Sequence, residues 1–272
     1  MKKIVLAICF LAVNSTIFAQ HSLELVWESD TLFKAPESVR LDPKAKILYV
    51  SNIGQFGKEG TGSISKVSLD GKMIKADWVT GLTDTKGLGI YKNLLYAAEQ
   101  STVAVIDINT GAITRRILVE GGQMLNDVTI DAKGTVYVSD SKTGKVHKIE
   151  NGQVSTYLEN LADINGLLSV GNNLYILAGT SLQKADANKK LTKIADGIEG
   201  GADGIEMIND QDFVATGWAG TIYYVKGDGT KQTLMDTRDK EINAADLGYD
   251  PATKTVYIPV MMKNKVIAYK LK

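Results

Sequence analysis

Four oxygen-bearing side chains stand at equivalent points of a repeat: Glu37, Asn126, Asn165 and Asp203. Each opens a short phrase, ESVRLD from Glu37, NDVTID from Asn126, NGLLSV from Asn165 and DGIEMI from Asp203. Two further phrases, KGLGIY from Lys86 and ADLGYD from Ala245, belong to the same series. Two carboxylates and two amide carbonyls make an all-oxygen set of the kind that holds a hard divalent cation. With room left for water it suits Ca²⁺, and suits Mg²⁺ less well because that ion demands tight octahedral geometry. The chain has one Cys, in its first ten residues, and two His. Zinc, copper and cysteine-nucleophile chemistry therefore lack their ligands, and a Ser-His-Asp triad lacks a placed histidine.

The plain alternative is that Asn and Asp at strand starts are turn residues serving local backbone groups. Joint occurrence at one repeat position argues against it, since Lys86 and Ala245 show that the repeat needs no turn former there. Lys86 sits in the same ring and brings a second possibility. A buried carboxylate needs a compensating positive charge, which a metal or a lysine can supply. Lys86 could pair with Glu37 or Asp203, or face a substrate.

These residues meet only if the chain curls into a ring. The phrases are spaced 49, 40, 39, 38 and 42 residues apart. A period near forty built from short strands predicts an all-β propeller with one four-stranded antiparallel sheet per blade. Each phrase begins an innermost strand. A second strand follows with period-two alternation and β-branched enrichment (ILYVSN, LLYAAE, TVYVSD, NLYILAG, DFVATG, TVYIPV), then a third and a more polar outer one. The sixth unit ends at Lys272 after its third strand. LELVWES, from Leu23 to Ser29, is predicted to supply the missing strand and close a six-bladed ring, leaving no long exposed edge.

Residues 1–20 read as a secretory signal: Lys2 and Lys3, an apolar run from Ile4 to Val13, then small and polar residues to Ala19 and Gln20. Residues 21–272 then form a single propeller domain, secreted or periplasmic, without cysteine. Removing two lysines leaves 29 Lys+Arg against 31 Asp+Glu, a net charge of −2. No basic stripe appears, so neither nucleic acid nor a membrane surface is expected as partner; a small molecule is.

The ordered set Glu37-Ser38-Val39, Asn126-Asp127, Asn165-Gly166 and Asp203-Gly204 resembles the senescence marker protein/gluconolactonase/regucalcin family across nearly the whole chain after the signal. The resemblance implies a calcium-dependent six-bladed hydrolase of lactones or related esters. Glu37, Asn165 and Asp203 would hold the metal with Asn126 beside it, and Asp203 would be the general base or nucleophile. Asp127 is a neighbouring candidate for activating water. Two departures stand out. Sugar-lactonase members carry a substrate-binding arginine two residues before the first ring asparagine, where this chain has Met124. A methionine makes no charge-assisted hydrogen bonds, so a less polar substrate fits better. Lys86 has no counterpart in the family. Trp218 could wall the pocket near Asp203 or pack between blades, and Asp246 is expected to face its own blade. The glycine-rich segment from Ser51 to Gly62 could cover the channel or be a surface loop. The competing reading is a non-catalytic binding propeller with a structural ion or a Lys86 salt bridge in its channel.

Overall fold

The computed structural model describes residues 20–272; apart from Gln20, the predicted signal lies outside the described residues. Six four-stranded antiparallel sheets follow one another around an axis. The inner strands run over Pro36–Asp42, Leu88–Tyr91, Leu125–Ile130, Ile164–Val170, Ala202–Met207 and Gly248–Asp250. As predicted, Leu23–Glu28 pairs antiparallel with Lys265–Leu271 and becomes the outer strand of blade six. The two ends of the described chain thus share one sheet. Among the described residues the non-strand elements are two 3₁₀ turns, Arg238–Lys240 and Met261–Lys263.

Alternation along the strands sends apolar side chains to both faces of each blade, so the core is divided into six wedges, one between each pair of blades. Tyr49, Ile64 and Leu82 of blade one pack on Leu88, Leu95 and Ile106 of blade two. At the seam between last and first blades, Tyr257, Val266 and Ala268 pack on Val39, Leu48 and Val50. The third residue of every repeat phrase enters the wedge behind its blade: Val39, Leu88, Val128, Leu167, Ile205 and Leu247, none more than 3% exposed. Burying such a side chain stabilises the fold by about 1.5–3 kcal/mol. This level holds the axis together.

One irregularity recurs. Between Pro36 and Val39 the inner strand advances three residues while its partner advances two, from Asn52 to Val50. The same slip falls between Leu125 and Val128, Ile164 and Leu167, and Ala202 and Ile205. A bulge of this kind adds a residue, twists the strand and re-aims side chains. The four bulged blades are the four whose leading residue is Glu37, Asn126, Asn165 or Asp203. In three of them the amide freed by the bulge is taken by a hydroxyl of the second strand: Ser38 N–H donates to Ser51 Oγ (2.9 Å), Asp127 N–H to Ser139 Oγ (2.9 Å) and Gly204 N–H to Thr216 Oγ1 (2.8 Å).

Candidate functional site

The first two residues of each repeat phrase form two tiers at the axis, with a bulge in four of the six blades. The upper tier is Glu37, Lys86, Asn126, Asn165, Asp203 and Ala245; the lower is Ser38, Gly87, Asp127, Gly166, Gly204 and Asp246. In the upper tier Glu37, Asn126 and Asp203 are 5%, 7% and 2% exposed, and Lys86 and Asn165 are half-buried. Asn165 Nδ2 donates to Asp203 Oδ1 at 3.0 Å, joining blades four and five. Asn126 Nδ2 donates to Ser141 Oγ at 3.0 Å, and that hydroxyl donates in turn to the Ile164 carbonyl of the next blade. Both amides are thereby oriented nitrogen-first toward protein, which turns their oxygens the other way. Asn165 Oδ1 and Glu37 Oε2 are buried without a hydrogen-bond partner.

Unspent buried oxygens carry a desolvation penalty; among the described residues the others, of Tyr49, Ser63, Thr85 and Thr143, are hydroxyls, whereas these two are a carboxylate and an amide oxygen of one ring. Burial, foremost, pushes the Glu37 carboxyl well above the usual carboxylate range; the Asp203 charge adds to this and Lys86 opposes it. The Asp203 carboxyl is pushed up by burial and by Asp246 and Asp127, against the Asn165 hydrogen bond and Lys86. Lys86 takes part in none of the ion pairs within 4 Å among the described residues, so it acts on both acids through space. Among the described residues no three His, Cys, Asp or Glu converge as a metal cluster. A cation at this ring would therefore depend on the two amide oxygens as well as the two carboxylates. The all-oxygen donor set, the amide orientations and the two orphaned oxygens fit a hard divalent ion.

The lower tier is different chemistry. The Asp127 carboxylate accepts Leu167 N–H and Val128 N–H, each at 2.6 Å, and so pins blade three to blade four. Its carboxyl is raised to about 6, chiefly by burial, with those amides and Arg40 opposing. Asp246 does not face its own blade as expected. Its Oδ2 accepts Ser38 Oγ–H at 2.5 Å, its N–H donates to the Glu37 carbonyl at 3.0 Å, and it forms a parallel bridge with Ser38. The reason is the seam: blade six must be tied to blade one at the axis as well as at the rim. Glycines make this tier possible. A Cβ on Gly166 would lie 2.2 Å from the Asp203 carbonyl oxygen, and one on Gly204 2.5 Å from Leu247 N.

Further down, Arg40 Nη1 of blade one reaches Glu206 Oε1 of blade five at 3.0 Å. Burial raises the Glu206 carboxyl to about 7, although Arg40 opposes it. Asp127, Asp246, Arg40 and Glu206 line a residual cavity of about 10 Å³, at most enough for one water. The space below the ring is therefore too small for anything larger than water. Arg40 and Glu206 were not among the residues singled out from sequence. Their one signal was charge on an otherwise apolar inner strand.

At the mouth, Met124 is 38% exposed, with its N–H held by Asp140 Oδ1 at 3.1 Å. Trp218 is 43% exposed rather than packed between blades; its N–H donates to the Gly201 carbonyl at 2.7 Å, two residues before Asp203. In the loop after Asn52, the Gly57 N–H is bonded to Asp84, two residues before Lys86. His147 lies in a third strand, Lys145–Glu150, with Nε2 3.8 Å from Asp140, away from the ring.

No protein-family model matches the chain, and no curated protein matches it in sequence. Its fold is similar to that of solved propellers. A streptogramin B lyase shares 11% identity, with 93% of this chain and 98% of that chain covered at a TM-score of 0.68. A catalytically inactive virginiamycin B lyase from Staphylococcus aureus with quinupristin shares 12%, over 93% and 100%, at 0.66. A luciferin-regenerating enzyme shares 12%, over 93% and 95%, at 0.66. At such identities the likeness is one of fold alone.

Proposed function

We propose that this protein is an exported, metal-dependent hydrolase acting on a lactone, ester or related small molecule at the upper ring. The observation that carries the reading is the pair of orphaned oxygens, Glu37 Oε2 and Asn165 Oδ1, in one ring with Asp203 and Asn126. Glu37, Asn126, Asn165 and Asp203 would hold the cation, and calcium suits the set best. Bound there, it supplies Lewis acidity toward a substrate carbonyl oxygen.

The remaining work falls to side chains. Asn165 fixes Asp203 through Oδ1, leaving Oδ2 to take a proton from attacking water. Lys86 favours the ionised form of Asp203, as a base requires. Met124 and Trp218 give the mouth an apolar rim. Asp127, whose oxygens are occupied by backbone amides, supports the ring from below rather than meeting substrate. The lyase neighbour whose inactive form replaces a histidine with alanine offers no chemistry to transfer, because His21 and His147 lie away from this ring.

The second reading is a binding propeller in which Lys86 balances the ring acids. Its support is the action of the Lys86 charge on both Glu37 and Asp203. Calcium titration of chelator-stripped protein by calorimetry separates the two. One-site binding that disappears in Asp203→Asn supports the metal site and justifies a lactone and ester screen. No heat at millimolar calcium, with an unchanged melting curve, leaves the Lys86-balanced channel.

A further inference from the structure

Blade six interrupts the ring. Ala245 offers no polar group there, and it lies between the blades that carry the two carboxylates, Asp203 on one side and Glu37 on the other. Two residues before Ala245 stands Asn243, 5% exposed. Its Oδ1 accepts the Met262 N–H at 2.9 Å, which fixes the amide orientation, because flipping it would set two donors against each other. Its Nδ2 is then a buried donor with no partner. Most buried side-chain polar atoms have one, so this exception requires an explanation.

The backbones on either side belong to exposed apolar residues. The next residue, Ala244, donates its N–H to the Trp218 carbonyl at 3.2 Å, and Met262, held by Asn243 itself, is 64% exposed. A bare ring position and an unspent donor thus lie two residues apart in blade six, beside the backbones of two exposed apolar residues.

We propose that this sector is a ligand subsite in which Asn243 Nδ2 donates to a second acceptor oxygen of the substrate, apart from the carbonyl that faces the cation. The backbones of Trp218 and Met262 adjoin it, and the groups that cover the buried amide must shift to admit the ligand. The substrate class is thereby narrowed to small carbonyl compounds bearing another oxygen near the reacting group. The inference rests on the proposed ring site.

The test compares γ-butyrolactone with α-hydroxy-γ-butyrolactone on the calcium-saturated protein. Affinity is measured by ligand-observed NMR titration, and hydrolysis is followed in the same samples. Wild type is expected to bind the hydroxylated lactone about five- to tenfold more tightly, the range of one well-made hydrogen bond. Asn243→Asp keeps an acceptor for Met262 and removes the donor; Asn243→Ala removes both. Each is expected to reduce the preference to less than about twofold, on the same hydrogen-bond argument. The ratio within one variant cancels any general weakening of the fold. Equal affinities in wild type, a preference that survives both substitutions, or no binding of either lactone overturns the subsite. A preference without turnover overturns the hydrolase reading and leaves the subsite standing; turnover without a preference does the reverse.

Discussion

The two tiers of the axis are built from adjacent residues of the same repeat phrases, yet their acids are used in opposite ways. In the lower tier each acid is engaged: Asp127 by two backbone amides, Asp246 by the Ser38 hydroxyl. In the upper tier Glu37 and Asn165 keep buried oxygens with no partner, while the amide nitrogens are tied away. Burial raises the carboxyls of both tiers. A raised carboxyl alone therefore does not separate the tiers; an uncommitted carboxylate or amide oxygen does. The lower tier staples neighbouring blades, and the upper one keeps the oxygens that the proposed cation would use.

The comparison breaks most sharply at Asp203. Asp203→Asn should abolish hydrolysis, by roughly a thousandfold or more, as loss of a general base together with a metal ligand implies. Its melting temperature should stay level or rise, because a buried charge is removed. Retained turnover with an unchanged melting curve would refute Asp203 as the base. Gly166→Ala tests the close approach of the two tiers. A Cβ pressed against the Asp203 carbonyl should destabilise by about 3 kcal/mol or more, a drop of some 6–12 °C at this size. An unshifted melting curve would mean that the inner strands do not approach so closely.

Asp127→Asn should do what Asp203→Asn does not. An amide offers one acceptor oxygen to two N–H groups, so one is left unpaired at a cost of about 1–3 kcal/mol. A lowered melting point with calcium affinity kept within a few-fold is expected; loss of calcium binding instead would move Asp127 into the metal shell.

A pH series sharpens the same contrast. Glu206 titrates near 7 and Asp127 near 6 in the fold, above the ordinary carboxyl range of the unfolded chain. The folded state holds these protons more tightly, so the stability they contribute is present below about pH 4 and is lost as pH rises through 6 and 7. Melting curves of chelator-treated protein should therefore fall over that window. A rise would reverse the assignment. Calcium should restore more stability at pH 8 than at pH 5, because protons compete for the ring carboxylates. The smallest effect is expected at Lys86. Lys86→Met removes a like charge near the cation and should tighten calcium binding about three- to tenfold, the scale of a screened charge interaction. Weaker binding would show that Lys86 supports the site instead.

Much of this was legible in the chain. The phrases from Glu37 to Ala245 located six inner strands, and the lone strand at Leu23 located the closure, because period and alternation are properties of sequence. Asp246 shows where legibility ended. Its sheet neighbour is set by a bridge to Ser38, 208 residues away, and no local pattern encodes that choice. Arg40 and Glu206 likewise became partners only through a ring that sets blades one and five on the same axis.

The sequence by itself determined the number of blades, the strand that closes them and which residues share a tier, since repeat spacing survives without coordinates. Only the tertiary structure decided which oxygens are spent. That depends on how each bulge twists a side chain and which neighbouring blade offers a donor, and such choices follow from packing across the ring rather than from order along the chain.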